Sequence, residues 1–247
     1  MKIYPQYNMR ILLGDIHGAW RVIVNHLMSL EMDKICYIQV GDFRIGYDSI
    51  ETDTKNLFIL NQILSERDSH LLVIRGNHDN PSWFINENYK DIKDKLTNIL
   101  FIEDYTILNI NDENILFVGG AVSIDRESSK KRDLINGTNS YWVDEIVNFD
   151  FDFAKNVKNI DRMICHTSPD FCEPIKFNGL VYSFAQGDPT LLDDLRDERK
   201  NMTTLVSEIM KNNNLKGFYN GHFHSNYYFY HNGCEFVTLG INVFRQF

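Results

Sequence analysis

The amino-acid sequence predicts an α/β fold. Two features of the first 80 residues predict it: apolar blocks alternate with helix-periodic stretches, and each block is closed by a glycine. Alternation of this kind produces a parallel sheet covered by helices. The composition, 43% hydrophobic and 24% charged over 247 residues, is that of an ordinary globular chain.

Taken in order, Met9 to Leu13 is a short apolar run ended by Gly14. Residues 19–30 place Trp20, Ile23, Val24, Leu27 and Leu30 on one helical face at spacings of three and four. Ile35 to Val40 is a second strand, ended by Gly41, and residues 52–67 repeat the helical pattern through Leu57, Leu60, Ile63 and Leu64. Leu71 to Ile74 is a third strand, closed by Arg75-Gly76. Thr106 to Ile110, the Asn111-Asp112 turn and Ile115 to Val118 read as a β-hairpin. Residues 163–165 form a short strand leading into His166, and a helix is expected within 190–213. Strands follow near 216–220, 226–230 and 234–239, with His231-Asn232-Gly233 as a turn, so the second half is expected to be more antiparallel than the first. No repeat and no Pro/Gly/Ser-rich linker divides the chain, which points to a single domain over 1–247.

The balance of 25 Lys and Arg against 34 Asp and Glu leaves a net charge of -9, without the basic footprint of a dedicated nucleic-acid binder. No apolar run approaches the ~18 residues of a membrane span, and residues 1–10 hold no stretch suited to a signal peptide. Cys36, Cys165, Cys172 and Cys234 are scattered without a CxxC pair. They read as reduced thiols of a cytoplasmic protein.

Five segments share one grammar, an apolar strand, then a glycine or small residue, then Asp, Asn or His. They are Gly14-Asp15-Ile16-His17-Gly18, Gly41-Asp42, Gly76-Asn77-His78-Asp79, Cys165-His166-Thr167 and Gly221-His222-Phe223-His224. In sheets with parallel strands, sites gather at the carboxyl ends of the strands. Carboxylates and neutral imidazoles suit transition-metal ions, and an Asn oxygen completes a shell. Asp15, His17, Asp42, Asn77, His166, His222 and His224 are too many for one tetrahedral site. They suit two metals sharing a bridging carboxylate, ~3.5–4 Å apart, the usual arrangement for phosphoester hydrolysis through an activated water. An unligated His nearby would protonate the departing oxygen. His26, His70 and His231 have no partner at ligand spacing and read as structural or surface residues.

These residues resemble the calcineurin-like metallophosphoesterases, whose pattern is D-x-H, G-D, G-N-H-[DE], a lone H and G-H-x-H, and all five blocks stand here in order between residues 14 and 224. Gly119-Gly120-Ala121-Val122-Ser123-Ile124-Asp125-Arg126, with Trp142 and Glu145, is similar to the small single-domain bacterial and phage members. The resemblance implies a two-sheet β-sandwich flanked by helices and two divalent transition-metal ions, manganese first, with iron, zinc or nickel as alternatives. It places Asp15, His17 and His224 on one ion and Asn77, His166 and His222 on the other. Asp42 would bridge them, and His78 would be the catalytic imidazole.

The family's Ser/Thr protein phosphatases extend the second block to G-D-x-V-D-R-G, whereas here it runs Gly41-Asp42-Phe43-Arg44-Ile45-Gly46. The carboxylate that orients the catalytic imidazole is missing from that place, with Asp79 its substitute by adjacency. The phosphate-clamping arginine is missing too, with Arg44 or Arg75 in its stead. Residues 167–215 carry an acidic run, Asp193 to Glu198, read as a solvated helix face or as part of a cap over the substrate. The function expected is hydrolysis of a small, nucleotide-type phosphate mono- or diester. The alternatives are a protein Ser/Thr phosphatase and a non-catalytic scaffold such as a retromer subunit.

Overall fold

The computed structural model describes residues 2, 3 and 6–247, so the reading of residues 1–10 falls partly outside the described residues. In chain order the elements are β1 (Lys2–Ile3), β2 (Met9–Leu13), α1 (Arg21–Ser29), β3 (Ile35–Gln39), α2 (Ile50–Glu66), β4 (His70–Val73), α3 (Lys90–Lys93), β5 (Ile99–Phe101), β6 (Thr106–Ile110), β7 (Glu113–Val118), α4 (Arg126–Asn136), α5 (Phe151–Asn156), β8 (Arg162–Cys165), α6 (Gly179–Ala185), α7 (Leu191–Asn212), β9 (Gly217–Asn220), β10 (Tyr227–His231), β11 (Cys234–Thr238) and β12 (Phe244–Gln246). They build two sheets, one in the order β12-β2-β3-β4-β5 and one in the order β1-β6-β7-β8-β9-β11-β10.

Side-chain alternation along the strands sets four layers. In β2, Ile11 and Leu13 face α1 and α2, packing on Ile23, Leu27, Leu57 and Leu64. Leu12 between them points the other way, into a core shared with Ile38, Leu72, Phe117, Ile164 and Tyr219 from both sheets. The second sheet repeats the device: Leu116, Met163 and Phe218 turn outward onto Met202, Leu205, Val206 and Ile209 of α7. Strands buried on both faces read as continuous apolar runs, which is why β3 is buried at all five positions. Each such aliphatic side chain contributes roughly 1.5–3 kcal/mol. The start of α2 is fixed by the Ser49 hydroxyl, which accepts from the Thr52 N–H at 3.2 Å, with Glu51 and Asp53 in the first turn to meet the helix dipole.

The expected two-sheet sandwich is present, and the second half of the chain is the more antiparallel, since each antiparallel pair among the described residues includes a strand beyond residue 105. Within the second sheet, β7, β8, β9 and β11 nevertheless run parallel, and its antiparallel pairs are the β6–β7 and β10–β11 hairpins. The reason lies in the connections: α5 precedes β8 and α6 and α7 precede β9, giving these two strands a helical crossover, while β11 returns beside β9 through the edge strand β10. Within residues 167–215, α7 is the outer layer of the second sheet, and the acidic run lies along its first half. Two edge strands, β5 and β12, are too short to show a period. Among the described residues no helix is long and apolar enough to cross a membrane.

Candidate metal centre

Every polar block falls just beyond a strand's carboxyl end: Asp15 and His17 after β2, Asp42 after β3, Asn77 after β4, His166 after β8, and His222 and His224 after β9. The turns are sharp. His17, Asp42, His222 and His224 have φ of 44°, 59°, 70° and 53°, left-handed values that cost about 1–3 kcal/mol each and that gather at functional sites. Gly41, at φ +98°, admits no side chain, because a Cβ there would collide with the His166 ring.

The seven residues converge as two groups. In the first, ligand atoms of Asp15, His17, Asp42 and His224 all lie within 4.8 Å of one another, a candidate metal site. The Nε2 atoms of His17 and His224 stand 3.0 Å apart, and His224 Nε2 is 3.5 Å from Asp15. In the second, Asn77 Oδ1 faces His166 Nε2 at 3.0 Å and His222 Nδ1 at 2.9 Å. Asp42 stands between them, with Oδ1 3.2 Å from His166 and Oδ2 3.8 Å from His17.

Outer contacts set the direction of these ligands. Asn77 Nδ2 donates to the Ser123 hydroxyl at 2.8 Å, which turns its oxygen toward the two histidines. His166 Nδ1 donates to the Val40 carbonyl at 2.8 Å, leaving Nε2 facing inward. Burial pushes His17 down to about 4 and lowers His222 and His224, which favours the neutral ring, the form that ligates. Burial works against ionisation of Asp42, but His166 and His78 outweigh it and hold the carboxyl well below its usual range. Burial likewise opposes the charge on His166, yet Asp42 and Asp15 raise it to about 9. Asp15 is pushed well above its usual value, first by burial. Two buried carboxyl groups ringed by imidazole nitrogens and an amide oxygen have the chemistry of a cation site, and the donor set fits divalent metal ions.

The catalytic candidates part company. The His78 ring lies beside His17, with centroids 5.4 Å apart. Its Nδ1 is 2.7 Å from the Tyr47 hydroxyl, which itself donates to the Ser140 carbonyl at 2.8 Å and therefore accepts from His78. Tyr47 thus occupies the place expected of Asp79. The Asp79 carboxylate instead accepts from the backbone N–H of Phe43, Ile45 and Gly76 at 3.2, 3.0 and 2.7 Å, tying the loops after β3 and β4 together. Burial raises it to about 6. Arg75 is buried and donates to Asp104 and to the carbonyls of Asp144, Glu145 and Ile146, so its guanidinium has no face left for a phosphate. Arg44 is exposed, with its guanidinium over the Tyr47 ring at 5.2 Å. Of the three remaining histidines, His26 stacks on Phe244 and His231 on Phe171, while His70 meets the Tyr7 ring edge-on.

Tyr47 carries no local signature and comes into place only through the fold, whereas Ser123 stands in the Gly119–Arg126 stretch, where the sequence assigns it no role. Behind Ser123, the Glu145 carboxylate accepts from its backbone N–H at 2.9 Å, while Oε2 is buried without a hydrogen-bond partner. Burial raises Glu145 from 4.5 to about 8. A proton is therefore held more tightly in the folded chain than in the unfolded one, and the stability this contributes is complete below about 4.5 and lost as pH rises through about 8. Denaturation midpoints between pH 5 and 9 should accordingly fall less steeply in Glu145→Gln than in the wild type; equal slopes would refute the assignment.

A two-sheet α/β scaffold with an Asp, Asn and His centre at its strand ends defines a metal-dependent class of protein, and comparison gives the family. The model of the calcineurin-like phosphoesterases matches residues 10–226, and the chain belongs to that family of hydrolases acting on phosphoester bonds. Among solved structures, TT1561 of Thermus thermophilus shares 12% identity, with 95% of this chain and 90% of that chain covered and a TM-score of 0.52. A putative 5'-nucleotidase from Staphylococcus aureus shares 12% identity over 94% of this chain and 48% of that chain, with a TM-score of 0.47. A phosphopantetheinyl hydrolase from Mycobacterium tuberculosis shares 14% over 95% and 90%, at 0.43. A search of curated proteins finds no match.

Proposed function

We propose that this chain is a metal-dependent phosphoesterase for small phosphate mono- or diesters. Asp15, His17 and His224 would hold one divalent transition-metal ion, manganese first, and Asn77, His166 and His222 a second. The observation that carries this is Asp42, whose two carboxylate oxygens face the two groups separately. When bound, such ions activate a water and neutralise charge on the phosphoryl oxygens.

The protein's own residues supply the rest. His78, with Nδ1–H held by Tyr47, presents Nε2 to the departing oxygen and is placed to stabilise or protonate it. Asp79, accepting from the Phe43 and Ile45 N–H groups, keeps the loop carrying Asn77 and His78 against the loop carrying Asp42. The free, buried cysteines accord with a cytoplasmic protein, and the acidic balance favours small substrates over long polyanions.

Purified protein is expected to take up close to two transition-metal ions per chain, on the order of the stoichiometry such centres require. Chelation is expected to stop hydrolysis of an aryl phosphate, with manganese restoring it. Metal-loaded protein that cleaves neither aryl monoesters nor aryl diesters would overturn the proposal.

A further inference from the structure

Two cavities meet at the metal centre, and His78 lines both. The first, about 490 Å³, starts at Asn77 and His222 and runs beneath α6, walled by Ile124, Phe177, Val181 and Phe184. The second, about 430 Å³, starts at His17 and is walled by Arg44, Tyr47, Arg132 and Asn139. The first has one wall of aromatic and aliphatic side chains, with Lys176 and the Arg199 guanidinium also lining it, and the second carries two guanidinium groups.

Those two arginines differ from their neighbours. Arg75 is taken up by Asp104 and Arg126 by Asp188 and Asp194, while Arg199 donates to the carbonyls of Ser168, Pro169, Cys172 and Pro174. Arg132 donates only to the hydroxyls of Ser129 and Ser140, at 2.9 and 3.1 Å, and Arg44 rests on the Tyr47 ring. Neither is paired with a carboxylate among the described residues. A guanidinium matches a phosphate or carboxylate with two parallel hydrogen bonds, and apolar cavities of roughly 300–1,000 Å³ suit whole organic groups rather than inorganic phosphate. A monoester has one organic substituent and fills only one of the two cavities.

Resting on the phosphoesterase reading, we propose that the substrate is a doubly substituted phosphate with one apolar arm under α6 and one anionic arm against Arg44 and Arg132. Hydrolysis joins the water oxygen to phosphorus and breaks one P–O bond, and the departing oxygen leaves carrying a proton.

The test is calorimetric and needs no turnover. The probe is a phosphinate bearing a naphthylmethyl arm and a phosphonomethyl arm, both attached through carbon and so inert. Two controls each replace one arm by methyl. Manganese-loaded wild type should bind the two-armed probe at least about tenfold more tightly than either control, the worth of one charge-assisted contact or a buried ring. Arg132→Gln should remove the gain from the phosphonomethyl arm alone, and Val181→Trp the gain from the naphthylmethyl arm alone. Equal affinity for probe and controls, or a variant that weakens all three ligands alike, overturns the proposal. Failure of the phosphoesterase reading shows separately, as wild-type protein that hydrolyses no aryl mono- or diester.

Discussion

Asp42→Ala should emerge from metal loading with fewer than two ions per chain and with kcat/KM for an aryl phosphate lowered by at least about 10³-fold. Metal ions supply several kcal/mol of charge stabilisation, and about 1.4 kcal/mol is a decade of rate. The effect should exceed that of any other single ligand, because each Asp42 oxygen serves a different group and Oδ1 also accepts the His78 backbone N–H at 2.8 Å. His78→Gln makes the contrast. It should lower turnover by about 10²–10⁴-fold, the range for a positioned acid or base, while metal analysis still finds the wild-type content. Loss of metal from His78→Gln would make His78 a ligand, and full metal content in Asp42→Ala would remove Asp42 from its shared position.

The second large effect is on stability. Arg75→Ala removes a side chain only 8% exposed that donates to Asp104 and three successive carbonyls. Breaking a buried pair by deleting one partner costs about 3–5 kcal/mol, because the other charge and the carbonyls lose their donors. The urea midpoint should fall accordingly. At a temperature where the variant remains folded, its KM for an aryl phosphate should stay within about twofold of wild type, since uniform binding is untouched. A large rise in KM with little change in midpoint would return Arg75 to the substrate.

The difference between Arg75 and Asp42 shows what was legible in the sequence. The seven ligand candidates announce themselves locally, since each sits close beyond a glycine or small residue that ends an apolar strand. The strands and helices up to β4 are equally clear, because burial on two faces or on one stripe leaves a period of its own. Arg75 stands at the same strand end, one residue before Gly76, yet its partners lie 29 and about 70 positions away. Tyr47 meets His78 across 31 positions and Ser140 across 93. No spacing rule reaches that far. Asp79 shows the converse, a neighbour in sequence whose carboxylate the turn directs toward backbone groups of the preceding loop.

The chain draws its seven ligand candidates from strands of two sheets that lie far apart in sequence. Asp15, His17, Asp42 and Asn77 come from the first sheet, and His166, His222 and His224 from the second. β12 then leaves the second sheet's neighbourhood and closes on β2, where the Asn242 N–H donates to the Asp15 carbonyl at 2.9 Å and the Gly14 N–H to the Val243 carbonyl at 3.0 Å. During synthesis from the amino terminus, four ligands are therefore on hand long before their partners exist. A nascent or truncated chain ending before residue 222 has carboxylates that can attract a cation but no complete shell to keep it. On the proposed assignment, both groups can be completed only after His222 and His224 have been made, and β12 then joins the end of the chain to the strand that carries Asp15.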